Sequence, residues 1–181
     1  MRSDAALTIR GYRPADFDDV IQLNAYGLQA AGIDISSDYY EGSDLSNIDG
    51  TYSNAARGAL LVGEIADRII AMGGIRQVST ETCELLRMRV HPDFQGRGYG
   101  TAILLHLEAT AAHLGYRRVQ LLTGEHQHPA VDLYTNHGYQ VAQREILVGI
   151  PSIHMIKDLA CPSSPPRSTL PDTMTGTTSH V

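Results

Sequence analysis

Residues 84–114 constrain the fold of this chain more than any other stretch. A short apolar strand runs to Val90 and is stopped by Pro92, three glycines follow at positions 96, 98 and 100, and a helical pattern continues to Leu114. A glycine-rich turn between a strand and a helix N-terminus is a typical phosphate-binding arrangement, because unpartnered backbone N–H groups and the positive end of the helix dipole meet there. The kind of phosphate that is bound therefore decides the function.

Two common phosphate-binding loops do not fit this stretch. A Walker-type loop is excluded because no Gly-Lys-Ser/Thr follows at the required spacing. A dinucleotide fingerprint needs Gly-x-Gly-x-x-Gly, whereas a single residue separates successive glycines here. A glycine-rich turn that only connects a strand to a helix stays open as the alternative without a function.

The rest of the chain predicts an α/β fold of the α+β type. Apolar runs predict strands at residues 7–10, 59–65, 69–75, 84–90, 118–123, 139–147 and 152–159. Helical spacing predicts a helix after Pro14, one that ends before Gly115, one at about residues 129–138 and, more weakly, a short helix at about residues 39–52. A tight turn at Asp67 and Arg68 joins two strands into a hairpin, and residues 84–123 form a parallel crossover.

The apolar pattern of the strand before the glycines changes parity. Leu85 lies on one face of a strict two-residue alternation, whereas Met88 and Val90 lie on the other. A β-bulge near Leu86 and Arg87 would bring all three onto the same face. We therefore predict a bulge at this point.

The composition fits one domain followed by a tail. With 181 residues, 43% apolar content and a net charge of −6, the chain can bury a core and does not resemble a general nucleic-acid binder. Its two cysteines form no disulfide framework, and no apolar run approaches the roughly 18 residues of a membrane span, so we expect a cytoplasmic protein that does not bind membranes. Residues 1–160 should form the domain, and the Pro-, Ser- and Thr-rich residues 161–181 a disordered tail.

Two sequence blocks resemble the GNAT acetyltransferase superfamily. The first is Gln-Gly-Arg-Gly-Tyr-Gly at residues 95–100, which matches the Gln/Arg-x-x-Gly-x-Gly/Ala loop of that family. The second is residues 130–139, which resemble its Ala-x-x-Leu-Tyr-x-x-x-Gly-Phe/Tyr block. The resemblance spans about residues 7–159. It implies a mixed, mostly antiparallel central sheet of six to seven strands, with a splayed parallel pair and about four helices.

The resemblance implies that acetyl-CoA is the co-substrate. Its pyrophosphate would accept hydrogen bonds from the glycine-rich loop and the first helical amides, and its pantetheine arm would pair with the strand beyond the bulge. Gln127, where many relatives have Asn, is a further candidate contact. The predicted cofactor-binding residues are Met88, Arg89, Val90, Gln95, Gly96, Arg97, Gly98, Tyr99, Gly100, Thr101 and Gln127. The eight histidines form no complete ligand set, so no metal is expected.

Two residues are candidates for catalysis. Acetyl transfer to an amine requires that the amine lose a proton and that the departing thiolate be stabilised. By resemblance, Tyr134 lies beside the CoA sulfur and is the candidate acid, and Glu84 is the candidate base, directly or through a water. The structural alternatives are a tyrosine packed in the core and a solvated carboxylate at a strand end. Glu125 and His126 are reserve candidates for the base.

The sequence therefore predicts an N-acetyltransferase that moves an acetyl group from acetyl-CoA to a primary amine by direct attack on the thioester. The alternatives are a non-catalytic GNAT-fold sensor of acyl-CoA and a protein that binds a partner through its tail. The acceptor, a small-molecule or peptide amine, is not determined. Arg87 and Arg89 are candidates for recognising an acceptor carboxylate, unless they point to solvent, and a homodimer stays open.

Overall fold

The protein is built around one seven-stranded sheet. The computed structural model describes residues 6–30, 43–147 and 149–160. The strands are β1 (Thr8–Gly11), β2 (Ala59–Ile65), β3 (Arg68–Gln77), β4 (Thr82–Val90), β5 (Arg118–Gly124), β6 (Gln140–Leu147) and β7 (Ile150–Asp158). The helices are α1 (Phe17–Ala30), α2 (Ile48–Thr51), α3 (Tyr99–His113) and α4 (His128–Asn136).

The sheet is mixed and mostly antiparallel, as predicted. Its strands lie in the order β1-β2-β3-β4-β5-β7-β6. The β4–β5 pair is parallel, because α3 carries the chain back across the sheet between these two strands, and the other neighbours are antiparallel. The prediction of a splayed parallel pair within a mostly antiparallel sheet with about four helices is confirmed.

Two local predictions need adjustment. The hairpin turn lies at Ala66 and Asp67, not at Asp67 and Arg68, and both turn residues have positive φ, at 48° and 61°. Positive φ at both central positions is the geometry that matches the twist of a two-residue hairpin, so Arg68 becomes the first residue of β3. Of the helix predicted at residues 39–52, residues 39–42 lie outside the described chain. The remainder is a 3-10 turn at Asp44–Asn47 that continues into α2.

Two further sequence predictions concern the C-terminal tail and membrane-spanning segments. The predicted tail, residues 161–181, lies outside the described residues. Within the part of the chain that is described, no helix is both long and apolar enough to cross a membrane.

Each face of the sheet has its own apolar core. On one face, called here the α3 face, Leu85 of β4, Leu121 of β5 and Ile153 of β7 pack with Leu104 and Leu107 of α3. The opposite face is called the α1 face. Its core contains Val20 and Leu23 of α1, Leu45, Ile48, Tyr52, Leu60, Val62, Ile69 and Met72, with Leu86 packed against them.

The predicted bulge lies in β4. Met72 of β3 pairs with Arg89, but Gly74 pairs with Leu86, so two residues of β4 oppose the single residue between them. Arg87 has φ +59°, a conformation that costs a non-glycine residue about 1–2 kcal/mol. Leu86 and Arg87 therefore both face α1, and the parity change seen in the sequence is explained.

We expect Gly73, which lies opposite the bulge, to tolerate no side chain. A Cβ there would lie 2.6 Å from Met88 Sδ, 2.7 Å from Leu107 Cδ1 and 2.9 Å from Ile103 Cγ2. Overpacking of this kind costs about 1–3 kcal/mol. Gly73→Ala should therefore lower the free energy of unfolding by about 1–3 kcal/mol, which is seen as a lower urea midpoint. Gly11→Ala is the control, since nothing lies within 4 Å of a Cβ in that strand. Equal midpoints for the two variants would show that the packing at the bulge is looser than the structure indicates.

Candidate functional site

β4 and β5 separate at the bulge. Their parallel ladder begins with Thr82 and Arg118 and ends with Leu85 and Leu121. Beyond that point β4 stays paired with β3 as far as Val90, and β5 stays paired with β7 to its end, so the two strands continue without pairing with each other. This opening between neighbouring strands, in the middle of the sheet, is called here the β4–β5 slot.

The slot leads to the N-terminus of α3. Gly96 and Gly98 have φ of +72° and +81°, and Gly98 is the N-cap residue of the helix. Glycine adopts such angles without steric cost, which lets the chain turn sharply into α3. The N–H groups of Tyr99, Gly100 and Thr101 point out of the first helical turn and find no acceptor within the described residues. Three backbone donors and the positive end of the helix dipole therefore face one place.

The space in front of this helix end is open and positively charged. A Cβ added at Gly96 or Gly98 would meet nothing within 4 Å. Arg97 donates from Nη2 to the Asp93 carbonyl at 3.1 Å and lies 5.4 Å from the centre of the Phe94 ring. No carboxylate of the described chain forms an ion pair with Arg97. Backbone donors and an uncompensated guanidinium around open space are suited to a diphosphate.

A comparison with protein families identifies this arrangement. The model of the acetyltransferase (GNAT) family matches residues 30–139, more than half of the chain. The chain belongs to the GNAT acetyltransferase family. The resemblance read from residues 95–100 and 130–139 is thereby confirmed. No protein of curated function matches the chain by sequence.

Solved structures show the same GNAT fold. A GNAT-family acetyltransferase from Staphylococcus aureus has a TM-score of 0.75 and 19% identity, over 86% of this chain and 100% of that chain. YncA of Salmonella typhimurium, solved with its cofactor acetyl-CoA, has a TM-score of 0.71 and 18% identity, over 89% and 98%. A Klebsiella pneumoniae protein described as an acyl-CoA N-acyltransferase has a TM-score of 0.65 and 28% identity, over 87% and 100%.

β4, the strand that was predicted to bind pantetheine, is not paired with β5 over residues 88–90. Its carbonyls are nevertheless in use: Arg89 Nη1 donates to the Met88 carbonyl at 2.9 Å, and Gln95 Nε2 donates to the Val90 carbonyl at 3.1 Å. Each carbonyl oxygen has two lone pairs, so each can accept a second hydrogen bond. The side chain of Gln95 thus ties the end of the GNAT loop to the strand that forms one wall of the slot.

Tyr134 is buried in the second half of α4, close to its C-terminal end. Its side chain is 6% exposed, and its ring packs edge-on against Tyr139, with the ring centres 5.6 Å apart. Burial raises the pKa of Tyr134 to about 12, and the positive charge of Arg89 on β4 acts in the opposite direction. The hydroxyl finds no hydrogen-bond partner in the described chain. The phenol therefore keeps its proton and is available to donate it.

The end of β5 carries the other candidates of the second sequence block. Gln127 is the N-cap residue of α4, and its Oε1 accepts from the Thr123 hydroxyl at 3.2 Å. Glu125 is ion-paired with Arg144 at 3.0 Å and is half exposed. His126 lies over Gly124, where a Cβ would be 2.8 Å from the ring. Gln127 therefore lies at the β5 side of the slot, and Glu125 is engaged elsewhere.

Glu84 lies on the α1 face, one residue before the ladder ends. Its Oε2 accepts from both Nε and Nη2 of Arg76, each at 2.7 Å, and its side chain is 21% exposed. Arg76 is its direct cross-strand partner in β3. Glu84 is therefore near the slot but held by a two-point contact.

Sequence reasoning missed a buried polar network that holds the bulge. Arg87 donates from Nε and Nη2 to the two carboxylate oxygens of Asp44, at 3.1 and 2.5 Å, and from Nη1 to Asn24 Oδ1 at 3.1 Å. The Tyr52 hydroxyl also donates to Asp44. The Asp44 and Arg87 side chains are 6% and 11% exposed. This pair satisfies the charge of Arg87 within the fold, which argues against Arg87 as the group that recognises an acceptor carboxylate.

Proposed function

We propose that the protein is an N-acetyltransferase that transfers an acetyl group from acetyl-CoA to a primary amine. The observation that carries this proposal is the β4–β5 slot, which ends at the unpartnered amides and open glycines of the α3 N-terminus. A slot with backbone hydrogen-bonding groups along one wall suits the two amides of pantetheine, and the helix end suits the diphosphate. The residues present therefore fit acetyl-CoA as the co-substrate.

Different groups of residues would bind the diphosphate and the pantetheine arm of acetyl-CoA. The backbone N–H groups of Gly96, Gly98, Tyr99, Gly100 and Thr101 and the guanidinium of Arg97 would hold the diphosphate. The backbone of Met88, Arg89 and Val90 on one side and Gln127 on the other would hold the pantetheine arm, and Gln95 would keep the wall in place. For the diphosphate, this assignment uses backbone N–H groups that find no acceptor within the described residues.

The chemistry proceeds by direct attack of the amine nitrogen on the thioester carbon. The C–N bond forms, the C–S bond breaks, and one proton leaves the nitrogen. Tyr134 donates a hydrogen bond to the sulfur as negative charge develops there. Because an ordinary thiol has a pKa of about 8.5, full proton transfer from a phenol whose pKa is about 12 runs uphill. Tyr134 therefore stabilises the thiolate, which takes its proton from solvent after release.

The acceptor approaches from the α1 face of the sheet. α1 packs against β3 and β4, whereas no helix of the described chain packs extensively on the α1 face of β5, β7 and β6. Leu122 of β5, on this uncovered half, is 40% exposed although its strand is in the interior of the sheet. Glu84 faces the same side and is one candidate for the base. The catalytic domain would comprise residues 1–160.

The test is a turnover assay of the full chain with acetyl-CoA. Thiol release is followed over amino acids, polyamines, aminoglycosides and peptides with free N-termini, and the acetylated amine is identified by mass spectrometry. Stoichiometric release of thiol and formation of the amide are expected with at least one class. Binding of CoA without acetylation of any amine in the panel would replace the proposal with a non-catalytic acyl-CoA sensor.

We expect Arg97→Ala to weaken CoA binding about 10-fold at low salt. A hydrogen bond from a guanidinium to phosphate is worth about 1.5–3 kcal/mol, and the exposure of Arg97 places the effect at the lower end. Calorimetric titration with CoA at low and at high salt gives the dissociation constants, and the difference between the variant and the wild type should shrink at high salt. Arg117→Ala removes a charge at the far end of β5 and is the control. Equal affinities for the wild type and Arg97→Ala would contradict the placement of the diphosphate.

A further inference from the structure

A histidine on the uncovered half of the α1 face is placed to act as the base. In the sheet, His154 of β7 pairs with Leu122 of β5, and Gln143 of β6 lies on its other side. Residues directly opposite each other on neighbouring strands have their side chains on the same face. Glu84 pairs with Gln120, two residues before Leu122 on β5, so His154, Leu122 and Glu84 all face the same way.

His154 also lies close to the slot. β5 is the immediate neighbour of β7 and forms one wall of the slot, and adjacent strands are about 4.8 Å apart. The pairing of Leu122 and His154 lies one residue beyond Leu121, at which the β4–β5 ladder ends. The imidazole is 36% exposed and therefore reachable. An amine at the thioester would be within reach of this ring directly or through one water.

A carboxylate orients the imidazole. Glu145 of β6 contacts His154 Nε2 through Oε1. β6 is the edge strand beyond β7, so Nε2 is turned away from the slot. If the ionised carboxylate accepts from Nε2–H, the lone pair is on Nδ1, which is the tautomer that a base requires. Glu84, in contrast, has its Oε2 held in a two-point contact with Arg76, which leaves only Oε1 to receive a proton.

We propose that His154, oriented by Glu145, is the catalytic base that takes the proton from the acceptor amine. The N–H bond breaks as the C–N bond forms, the proton goes to Nδ1, and it leaves to solvent across the open face. Glu145 is a positioning residue. The other charged groups around the ring are already paired: Glu84 with Arg76 on the same face, Arg144 of β6 with Glu125, and Arg118 with Asp158 at the far end of β5. This inference rests on the proposed acetyl transfer.

The experiment measures kcat/KM against pH for the wild type, His154→Gln, Glu145→Gln and Glu84→Gln. The substrates are acetyl-CoA and the amine with the highest turnover in the panel. His154→Gln should lower kcat/KM about 100-fold and leave, on the acidic side of the profile, only the ionisation of the amine substrate. Glu145→Gln should have a smaller effect, and Glu84→Gln should keep the wild-type profile. In His154→Ala, added imidazole should restore part of kcat. CoA affinity, measured by calorimetry, should be unchanged in all four variants.

A matched control separates catalysis from sheet stability. Arg118→Gln also removes one partner of an exposed cross-strand ion pair between β5 and β7, at 2.7 Å. This pair lies at the end of β5 where β4 and β5 are still hydrogen-bonded to each other. Arg118→Gln should leave the profile unchanged. An active wild type whose kcat/KM and entire pH profile are unchanged in His154→Gln would overturn the inference and leave the acetyltransferase proposal standing. An inactive wild type that still binds CoA would overturn both.

Discussion

Tyr134→Phe should reduce kcat about 100-fold and leave the KM for acetyl-CoA nearly unchanged. The substitution removes only the hydroxyl, which makes no hydrogen bond to the described chain, and keeps the ring that packs against Tyr139. A hydrogen bond that forms only as the sulfur becomes negative lowers the barrier without strengthening ground-state binding. Steady-state kinetics of thiol release with varied acetyl-CoA measure both constants, and a loss confined to kcat is the expected signature.

Tyr139→Phe is the control for Tyr134→Phe. Tyr139 is the other tyrosine of this packed pair and is 2% exposed. It has no proposed role in the reaction. Its loss of a hydroxyl should change kcat far less than the loss at position 134. If both variants retain the wild-type kcat, the thiolate is stabilised by another group and Tyr134 is a core residue.

Asp44→Asn should destabilise the fold by about 3–5 kcal/mol. The substitution keeps the size of the side chain but removes the carboxylate charge that Nε and Nη2 of the Arg87 guanidinium, 11% exposed, contact. Removal of one partner from a buried ion pair costs this much because the other charge stays desolvated. Urea unfolding measures the change. Asp158→Asn breaks the exposed Arg118 pair and should change stability little. Similar results for the two variants would contradict the role of the buried network.

The Asp44 pair also predicts an acid dependence of stability. Burial by itself raises the pKa of Asp44, but the hydrogen bonds from Arg87 and Tyr52 lower it more, so the net direction is below the ordinary value. A carboxyl group with a lowered folded-state pKa stabilises the fold above its unfolded pKa of about 3.9, and this contribution is lost as the pH falls through the lower folded-state value. Acidification below about pH 4 should therefore reduce the stability of the wild type more than that of Asp44→Asn.

The sequence predicted the parts of the fold that local patterns determine. The strands, α3 and α4 were predicted from apolar periodicity and from the prolines and glycines near their ends. The bulge followed from one parity change, between Leu85 and Met88, because a bulge is the local way to keep apolar residues on one face. The loop at residues 95–100, together with the block at residues 130–139, indicated the family, and the glycines of the loop have a backbone function that other residue types do not readily supply.

The sequence could not predict the polar contacts between distant segments. Asn24, Asp44 and Arg87 are far apart in the chain, and the packing of α1 and of the 3-10 turn at Asp44–Asn47 on the bulge brings them together. The His154–Glu145 pair depends on the register of β6 and β7, which a further irregularity between Val141 and Gln143 shifts. Periodicity assigns a residue to a face but does not fix which residues of two strands lie opposite each other.

The most direct test of the account is hydrogen exchange of the full chain, measured by mass spectrometry with and without saturating acetyl-CoA. If acetyl-CoA binds in the β4–β5 slot, exchange should slow at residues 88–90 and 98–101. Residues 82–85, where the parallel ladder is already closed, should not change. Protection confined to the other end of the sheet, around Glu81, Arg117 and Asp158, or no protection at all, would contradict the account.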